Sequence, residues 1–437
     1  MSERIDRDAL IEVWHGYGRP RETWLVGGEF ERAVVRRDGS PVGYFEPDGI
    51  RDVLEGLATD PNASWRRVYE GDNVIALEDG RASITLEPGG QVELSGAPWT
   101  DLNDLAAELL AHRARLLEIS EGKDLVWITT GLTPYPRIAD VPFVPKSRYD
   151  VMGAYLPSRG DLAHAMMKGT TSVQANFDYL DEADCARKVR LVSRIAPLTT
   201  AMFANSPIFE GRDTGYQSYR AHVWTRTDPA RTGFPRTLRE TYSHEGWVDY
   251  LLDTPMMFWH DGERYRPAHG VTFRAWMTNG IDGRWPTLDD WIVHQTSVFP
   301  EVRVKRTIEV RGADCVSAPM ALSFCALFSG LLYCRRAMDE ALALAEDFTQ
   351  TGTVDERFAA AAQSGLDASI GGRSYASWAR DVLDIATRGM ARCHEAGLPM
   401  LQPLQARVDA GRSPARDVQE AWARDPSPGA FLPTIAY

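Results

Sequence analysis

Residues 81–98 read Arg-Ala-Ser-Ile-Thr-Leu-Glu-Pro-Gly-Gly-Gln-Val-Glu-Leu-Ser-Gly-Ala-Pro. Ile84 and Leu86 alternate with Ser83, Thr85 and Glu87, and Val92 and Leu94 alternate with Gln91, Glu93 and Ser95. A period of two puts successive side chains on opposite faces, the pattern of a half-buried strand. Pro88-Gly89-Gly90 between the two runs is turn chemistry. The stretch therefore predicts a tight β-hairpin with one apolar face and one polar face carrying Glu87, Gln91 and Glu93.

Three other stretches share the design. In residues 28–35, Glu29 and Glu31 share a face and Phe30 takes the other. In residues 172–178, Gln174 and Asn176 oppose Val173, Ala175 and Phe177. Residues 303–311 read as one strand with Lys305, Thr307, Glu309 and Arg311 on one face, Val304, Ile308 and Val310 on the other, and Arg306 out of step. In a single sheet, these strands would gather Glu29, Glu31, Glu87, Glu93 and Glu309 on one face. Five converging carboxylates repel one another unless cations compensate them. Either that face meets water, as antiparallel sheets often do, or it holds divalent cations. A solvent face usually mixes signs. Here Glu, Gln and Asn dominate three strands and the cations sit on the fourth.

The remainder of the chain alternates helices with these strands. Helices are expected over 5–18, 47–58, from Asp101 onward, 147–155, 182–204, and then over 318–347, 354–365, 375–396 and 401–411. Residues 248–258 and 271–276 read as strands or short helices. The mixture is α+β. With 437 residues and no repeat, low-complexity tract or linker, a single domain is expected, sheet-rich over 20–315 and helical over 316–437. The segment from Tyr216 to Gly233 is polar and aromatic. Its Arg220, Trp224 and Arg231 have the chemistry to hold carboxylate or phosphate, though an ordinary surface loop has the same composition.

Composition excludes several classes. A net charge of −13 argues against nucleic acid or an anionic membrane as the main partner. The charged N-terminus has no apolar core, so no signal peptide is expected. The apolar run from Ala318 to Cys334 is short for a membrane span and reads as a buried core helix. Five widely spaced cysteines with no CxxC pair fit reduced thiols in a cytoplasm. The nine histidines are scattered without an HExxH pattern. Gly16-x-Gly18 lacks a third glycine at Arg21, and no Walker-type phosphate loop occurs.

Longer motifs carry a resemblance. Gly-Gly-Glu-Phe-Glu-Arg (27–32), Leu-Glu-Pro-Gly-Gly-Gln-Val-Glu-Leu-Ser-Gly-Ala-Pro (86–98), Met-Met-Lys-Gly-Thr-Thr-Ser-Val-Gln-Ala-Asn (166–176), Arg-Ala-His-Val-Trp-Thr (220–225) and Phe-Pro-Glu-Val-Arg-Val-Lys-Arg-Thr-Ile-Glu-Val-Arg-Gly-Ala-Asp (299–314) resemble the plant-type glutamate–cysteine ligases. The resemblance implies a glutamine synthetase-like fold, a curved antiparallel sheet forming a cup with helices outside. It implies ATP-dependent joining of the glutamate γ-carboxylate to an amine, most simply that of cysteine, through an acyl phosphate. A different amine acceptor and a catalytically silent relative are the alternatives. ATP and Mg²⁺ are the expected cofactors, in a monomer or homodimer. On this reading Glu29, Glu31, Glu87, Glu93, Asn176 and Glu309 ligate metal, and Lys305 and Arg311 face the phosphates. Thr171, Gln174, Arg220, Trp224, Arg231 and Tyr250 border the amino-acid substrates. The family has Arg where Gly169 stands. That departure suggests a lost carboxylate partner and weak discrimination for cysteine, unless Lys168 or Arg226 replaces the charge.

Overall fold

All four alternating stretches enter one sheet in the computed structural model, which describes residues 4–437. Its nine strands are β1 (Val26–Val35), β2 (Arg66–Glu70), β3 (Asn73–Glu78), β4 (Ser83–Leu86), β5 (Val92–Ser95), β6 (Val126–Ile128), β7 (Ser172–Phe177), β8 (Val302–Val304) and β9 (Ile308–Asp314). The order is β8-β9-β7-β1-β5-β4-β3-β2, and every pairing is antiparallel. β1 is the longest and central strand. Its first half pairs with β5 and β7, and its last three residues pair with β6.

The principal helices, in chain order, are α1 (Arg7–His15), α2 (Ile50–Ala58), α3 (Leu102–Ile119), α4 (Ser147–Tyr155), α5 (Ala163–Gly169), α6 (Glu182–Met202), α7 (Tyr219–Thr225), α8 (His244–Asp253), α9 (Ala318–Leu332), α10 (Arg335–Thr349), α11 (Val354–Ser364) and α12 (Tyr375–Cys393). Helices α3 and α9 pack on β1, α9 also on β7, and α6 on β9. They cover the apolar face, where Phe30, Ile84, Val92, Leu94, Val173, Ala175 and Val310 are buried. The opposite face keeps the alternating polar side chains half-buried along β1, β4 and β5.

Several expectations need correction. Residues 303–311 are not one strand but the hairpin β8–β9. The Lys305 N–H donates to the Thr307 carbonyl at 3.0 Å across the turn. This accounts for Arg306, which is exposed in the turn rather than sunk in an apolar face. Of the two alternatives left open for residues 248–258 and 271–276, the helix holds in both: residues 248–253 finish helix α8, whose start is capped by Ser243 accepting from the Gly246 N–H, and Phe273–Asn279 is helical as well. Part of the supposed loop at 216–233 is helix α7, capped by Ser218. The long C-terminal helix is broken into α9 and α10, bent by 96°. A further helix, Ala415–Arg424, had no sequence forecast. Every residue of α9 except Pro319 is buried, as a core helix requires. Among the described residues, no single helix is long and apolar enough to cross a membrane.

Candidate active site

The acidic wall is set by strand register. Phe30 is buried on the helix side, so Glu29 and Glu31 point the other way. Glu31 lies directly opposite Glu93 of β5, and Glu93 lies opposite Thr85 of β4. Thr85 Oγ1 donates to Glu93 Oε2 at 2.9 Å. Glu87, two residues past Thr85, lines the same cavity of about 290 Å³. Like charges directly opposed across an antiparallel pair are destabilising. Burial, reinforced by the charges of Glu29, Glu87 and Glu31, pushes the Glu93 carboxyl well above the usual carboxylate range. Burial, then the Glu87 charge, pushes Glu31 up to about 7. Carboxylates that resist ionisation together are a ready sink for a divalent cation. The donors are all hard oxygens, which suits Mg²⁺ rather than a thiolate-seeking ion.

The basic wall faces them. Arg303 forks onto Glu309 with contacts of 2.8–3.1 Å, Lys305 Nζ is 2.9 Å from Glu309 Oε2, and Arg311 contacts Glu309 Oε1. A bulge in β9 puts Arg311 and Gly312 together opposite Gln174, the kind of irregularity that aims a side chain at a site. Helix α4 adds Arg148, and its N-cap residue Lys146, to the cavity lining. Lys146 Nζ and Tyr149 Oη both donate to the Leu86 carbonyl at 2.8 Å, tying α4 to the hairpin. Burial lowers the Lys146 pKa to about 8. Arg148 Nε is buried without a partner.

Strand β7 lies between the two walls, and its amides are oriented by them. Asn176 Nδ2 donates to Glu29 at 2.8 Å while its Oδ1 accepts from Thr307 at 2.9 Å. Gln174 Nε2 donates to Glu31 at 3.2 Å while its Oε1 accepts from Arg311 at 2.5 Å. An amide can present donors to the anionic strand and an acceptor to the cationic one; a carboxylate or ammonium could not do both.

A smaller annex of about 70 Å³ adjoins this cavity, sharing Glu31, Glu87, Met152, Phe299 and Arg311 with it. Its other walls include Arg220 and Trp224 of α7 with Met166 and Met167 of α5. Arg220 Nε and Trp224 Nε1 are buried N–H donors without partners. Buried donors are normally satisfied, so the annex is chemically incomplete without an acceptor. A separate cavity of about 390 Å³ is mostly apolar, and Arg37 is the only charged residue in its lining.

The structure thus brings together Glu29, Glu31, Glu87, Glu93, Gln174, Lys305, Arg311, Arg220 and Trp224. Five expected residues stand elsewhere or are already engaged. Glu309, expected as a metal ligand, is fully buried beneath three cations, which hold its carboxyl well below the usual range despite burial. It organises the basic wall. Asn176, another expected ligand, has its oxygen occupied by Thr307. Thr171 is fully buried with Oγ1 donating to the Thr130 carbonyl at 2.7 Å. Arg231 is fully buried, its nitrogens on Asp228, Ser297 O, Pro255 O and Tyr155 Oη. Tyr250 packs on Trp247 in α8 and lines neither the cavity nor the annex. Gln91 also leaves the polar face, donating to Met167 O and Thr170 O.

Arg303, Lys146, Arg148 and Tyr149 were not anticipated. Arg303 shares the parity of Lys305 and Glu309, so period-two counting would have found it. Lys146 and Arg148 left no local signal, because α4 reaches the cavity only through tertiary packing.

The family model described as Glutamate-cysteine ligase family 2 (GCS2) matches residues 25–430. The chain is 35% identical over 440 residues to the chloroplastic glutamate–cysteine ligase B of Oryza sativa subsp. japonica, covering 98% of this chain and 87% of that one. It is 35% identical over 442 residues to the chloroplastic glutamate–cysteine ligase of Nicotiana tabacum, covering 98% and 82%. Among solved structures, the fold is similar to that of a glutamate–cysteine ligase from Francisella tularensis in complex with AMP. The TM-score is 0.55, with 13% identity and coverage of 94% and 87%. The α+β sheet with its charged cup is therefore that of a ligase, and the chain belongs to glutamate–cysteine ligase family 2.

Proposed function

We propose that this chain joins the γ-carboxylate of L-glutamate to the amine of L-cysteine with ATP, by way of γ-glutamyl phosphate, as the entry step to glutathione or a related thiol. The family membership supports the reaction. The observation that carries the mechanism is an acidic and a basic wall opposed across β7, with an annex holding two unpaired N–H donors beside them.

Glu29, Glu31, Glu87 and Glu93 would hold Mg²⁺, which when bound offsets triphosphate charge and polarises the γ-phosphoryl group. Arg311 and Lys305, with Arg303 behind them, place positive charge where phosphoryl oxygens gain negative charge in transfer. Glu309 prevents three neighbouring cations from repelling one another and fixes their directions. Gln174 holds Glu31 and Arg311 at a set separation. The glutamate γ-oxygen forms a bond to phosphorus as ADP leaves. The neutral amine nitrogen then forms the C–N bond, the acyl C–O bond breaks, and phosphate departs with the amine's proton. No covalent enzyme intermediate is needed. Arg220 Nε and Trp224 Nε1 would donate hydrogen bonds to a substrate carboxylate in the annex, whose methionine wall suits a small, weakly polar side chain.

Gly169 bears on the choice of acceptor. A Cβ there would meet Ile138 Cδ1 at 2.9 Å and Leu132, and Gly169 lines neither the cavity nor the annex. In this chain the space beside Gly169 is filled by Ile138 and Leu132 rather than opening into the site. The two supposed replacements are occupied elsewhere: Lys168 on Ile138 O, and Arg226 on Asp161. Weak discrimination for cysteine is therefore not expected. ADP release should require both glutamate and cysteine, and kcat/KM for cysteine should exceed that for cysteamine by roughly 10³-fold or more, as expected when a carboxylate-reading site loses its partner. Equal turnover of the two amines, or ADP release independent of either substrate, would sink this reading.

A further inference from the structure

Away from the reaction cavity, three metal-capable side chains meet where α1, α6 and α8 come together. One ring nitrogen each from His15 and His244 and a carboxylate oxygen of Glu182 lie within 4.8 Å of one another. His15 is the last residue of α1, Glu182 the first of α6 and His244 the first of α8. None lines the reaction cavity or its annex. We propose that this cluster is a binding site for one borderline divalent transition ion of the Zn²⁺ class, clipping α1 to the start of α6 and α8.

The independent observation is at His244. Its side chain is 1% exposed and its Nε2 has no hydrogen-bond partner, an orphan that native proteins seldom tolerate. Its other nitrogen, Nδ1, is 3.1 Å from Tyr242 Oη. In the tautomer with hydrogen on Nδ1, the ring donates to Tyr242 and Nε2 presents a bare lone pair. This is the outer-shell arrangement that orients ligating histidines. Glu182 is likewise divided. Its Oε1 accepts the His244 backbone N–H at 2.7 Å, while Oε2 is 4.0 Å from His15 Nδ1. One oxygen thus holds the start of α8 and the other is available. Two imidazoles and a carboxylate form a three-ligand set with room for water, which suits Zn²⁺ and not Mg²⁺. Tetrahedral ligation with bonds of about 2.0–2.1 Å requires closure of the cluster. His15, exposed at a helix end, supplies that movement. The far end of α1 is already held, because Arg7 bonds Asp249 and Glu245 of α8.

Zn²⁺ titration into chelator-stripped, full-length protein tests the site calorimetrically, in millimolar Mg²⁺ so that the acidic wall does not compete. The wild type should bind one equivalent and its Tm should rise by roughly 3–5 °C at saturation. His15→Ala should weaken binding by more than the ~10–100-fold that outer-shell losses cost. Glu182→Gln, which retains the cap on α8, should do the same. Cys393→Ser, removing the exposed thiol, should change nothing. Substituted Co²⁺ should give visible ligand-field absorption that is lost in His15→Ala. Absence of the stoichiometric Zn²⁺ equivalent, an undiminished equivalent in His15→Ala, or its loss in Cys393→Ser would each overturn the proposal.

Discussion

Glu31 and Glu93, opposed across β1 and β5 with both carboxyls held above the normal range, lead to opposite expectations for stability and activity. Glu93→Gln removes one member of a repelling pair, so metal-free protein should melt at the same temperature or higher. The lost charge should lower kcat/KM at limiting Mg²⁺ by roughly 10²-fold, within the range for removal of one electrostatic partner. Near-normal turnover would show that Glu93 is not a ligand. Arg231 predicts the reverse. Its guanidinium is sealed among Asp228 and backbone carbonyls, so Arg231→Ala leaves the buried Asp228 carboxylate without its close partner, facing only the half-exposed Arg159 at 3.7 Å. That should cost about 3–5 kcal/mol in denaturant unfolding, with KM for both amino acids nearly unchanged in the folded fraction. A selective rise in KM without loss of stability would restore Arg231 to the substrate site.

At the scale of elements, the hairpin β8–β9 works as a unit because Glu309 binds three of its four cations, Arg303, Lys305 and Arg311, leaving Arg306 exposed in the turn. Neutralising that carboxylate leaves Arg303, Lys305 and Arg311 to repel one another. Glu309→Gln should therefore depress kcat as strongly as loss of Arg311 itself, and the double variant should be little worse than either single one. Additive losses in the cycle would indicate that Glu309 and Arg311 act independently. Strand β7 is the other indispensable element. Its amides separate the two walls while bonding to both, which a strand with exposed Lys or Asp on that face could not do.

At the scale of the whole molecule, the acidic wall makes metal-free stability depend on pH in a definite sense. The Glu31 folded pKa of about 7 lies above the unfolded value of about 4.3. Between those values the native state retains a proton that the unfolded chain releases. The Glu31 contribution to the stability of the metal-free protein should accordingly be fully present below the lower value and be lost as pH rises through about 7. Mg²⁺ should flatten that decline, and its uptake near pH 6 should release protons, visible as a buffer-dependent heat. Urea melts at stepped pH with and without chelator measure the first effect. A profile that is flat or rises across the window in chelator would contradict the assignment.

The sequence by itself determined the faces. Where a strand carries no bulge, period-two alternation decides which side each residue takes, so Glu29, Glu31, Glu87 and Glu93 were legible as one acidic set before any pairing was known. Their motifs also carried the family. Local order could not say which polar groups remain free. Arg220 and Arg231 belong to one segment and look alike in it, but Ser297 and Pro255 complete the enclosure of one, while the other keeps an open nitrogen in the annex. Glu309 shares the parity of a ligand but lies under three cations. Lys146 and Arg148 reach the cavity because Leu86 fastens their helix to the hairpin, and Gly169 is removed from it by Ile138 and Leu132. These outcomes depend on contacts between residues far apart in the chain. Only tertiary packing decides them, because a donor's availability depends on everything that surrounds it.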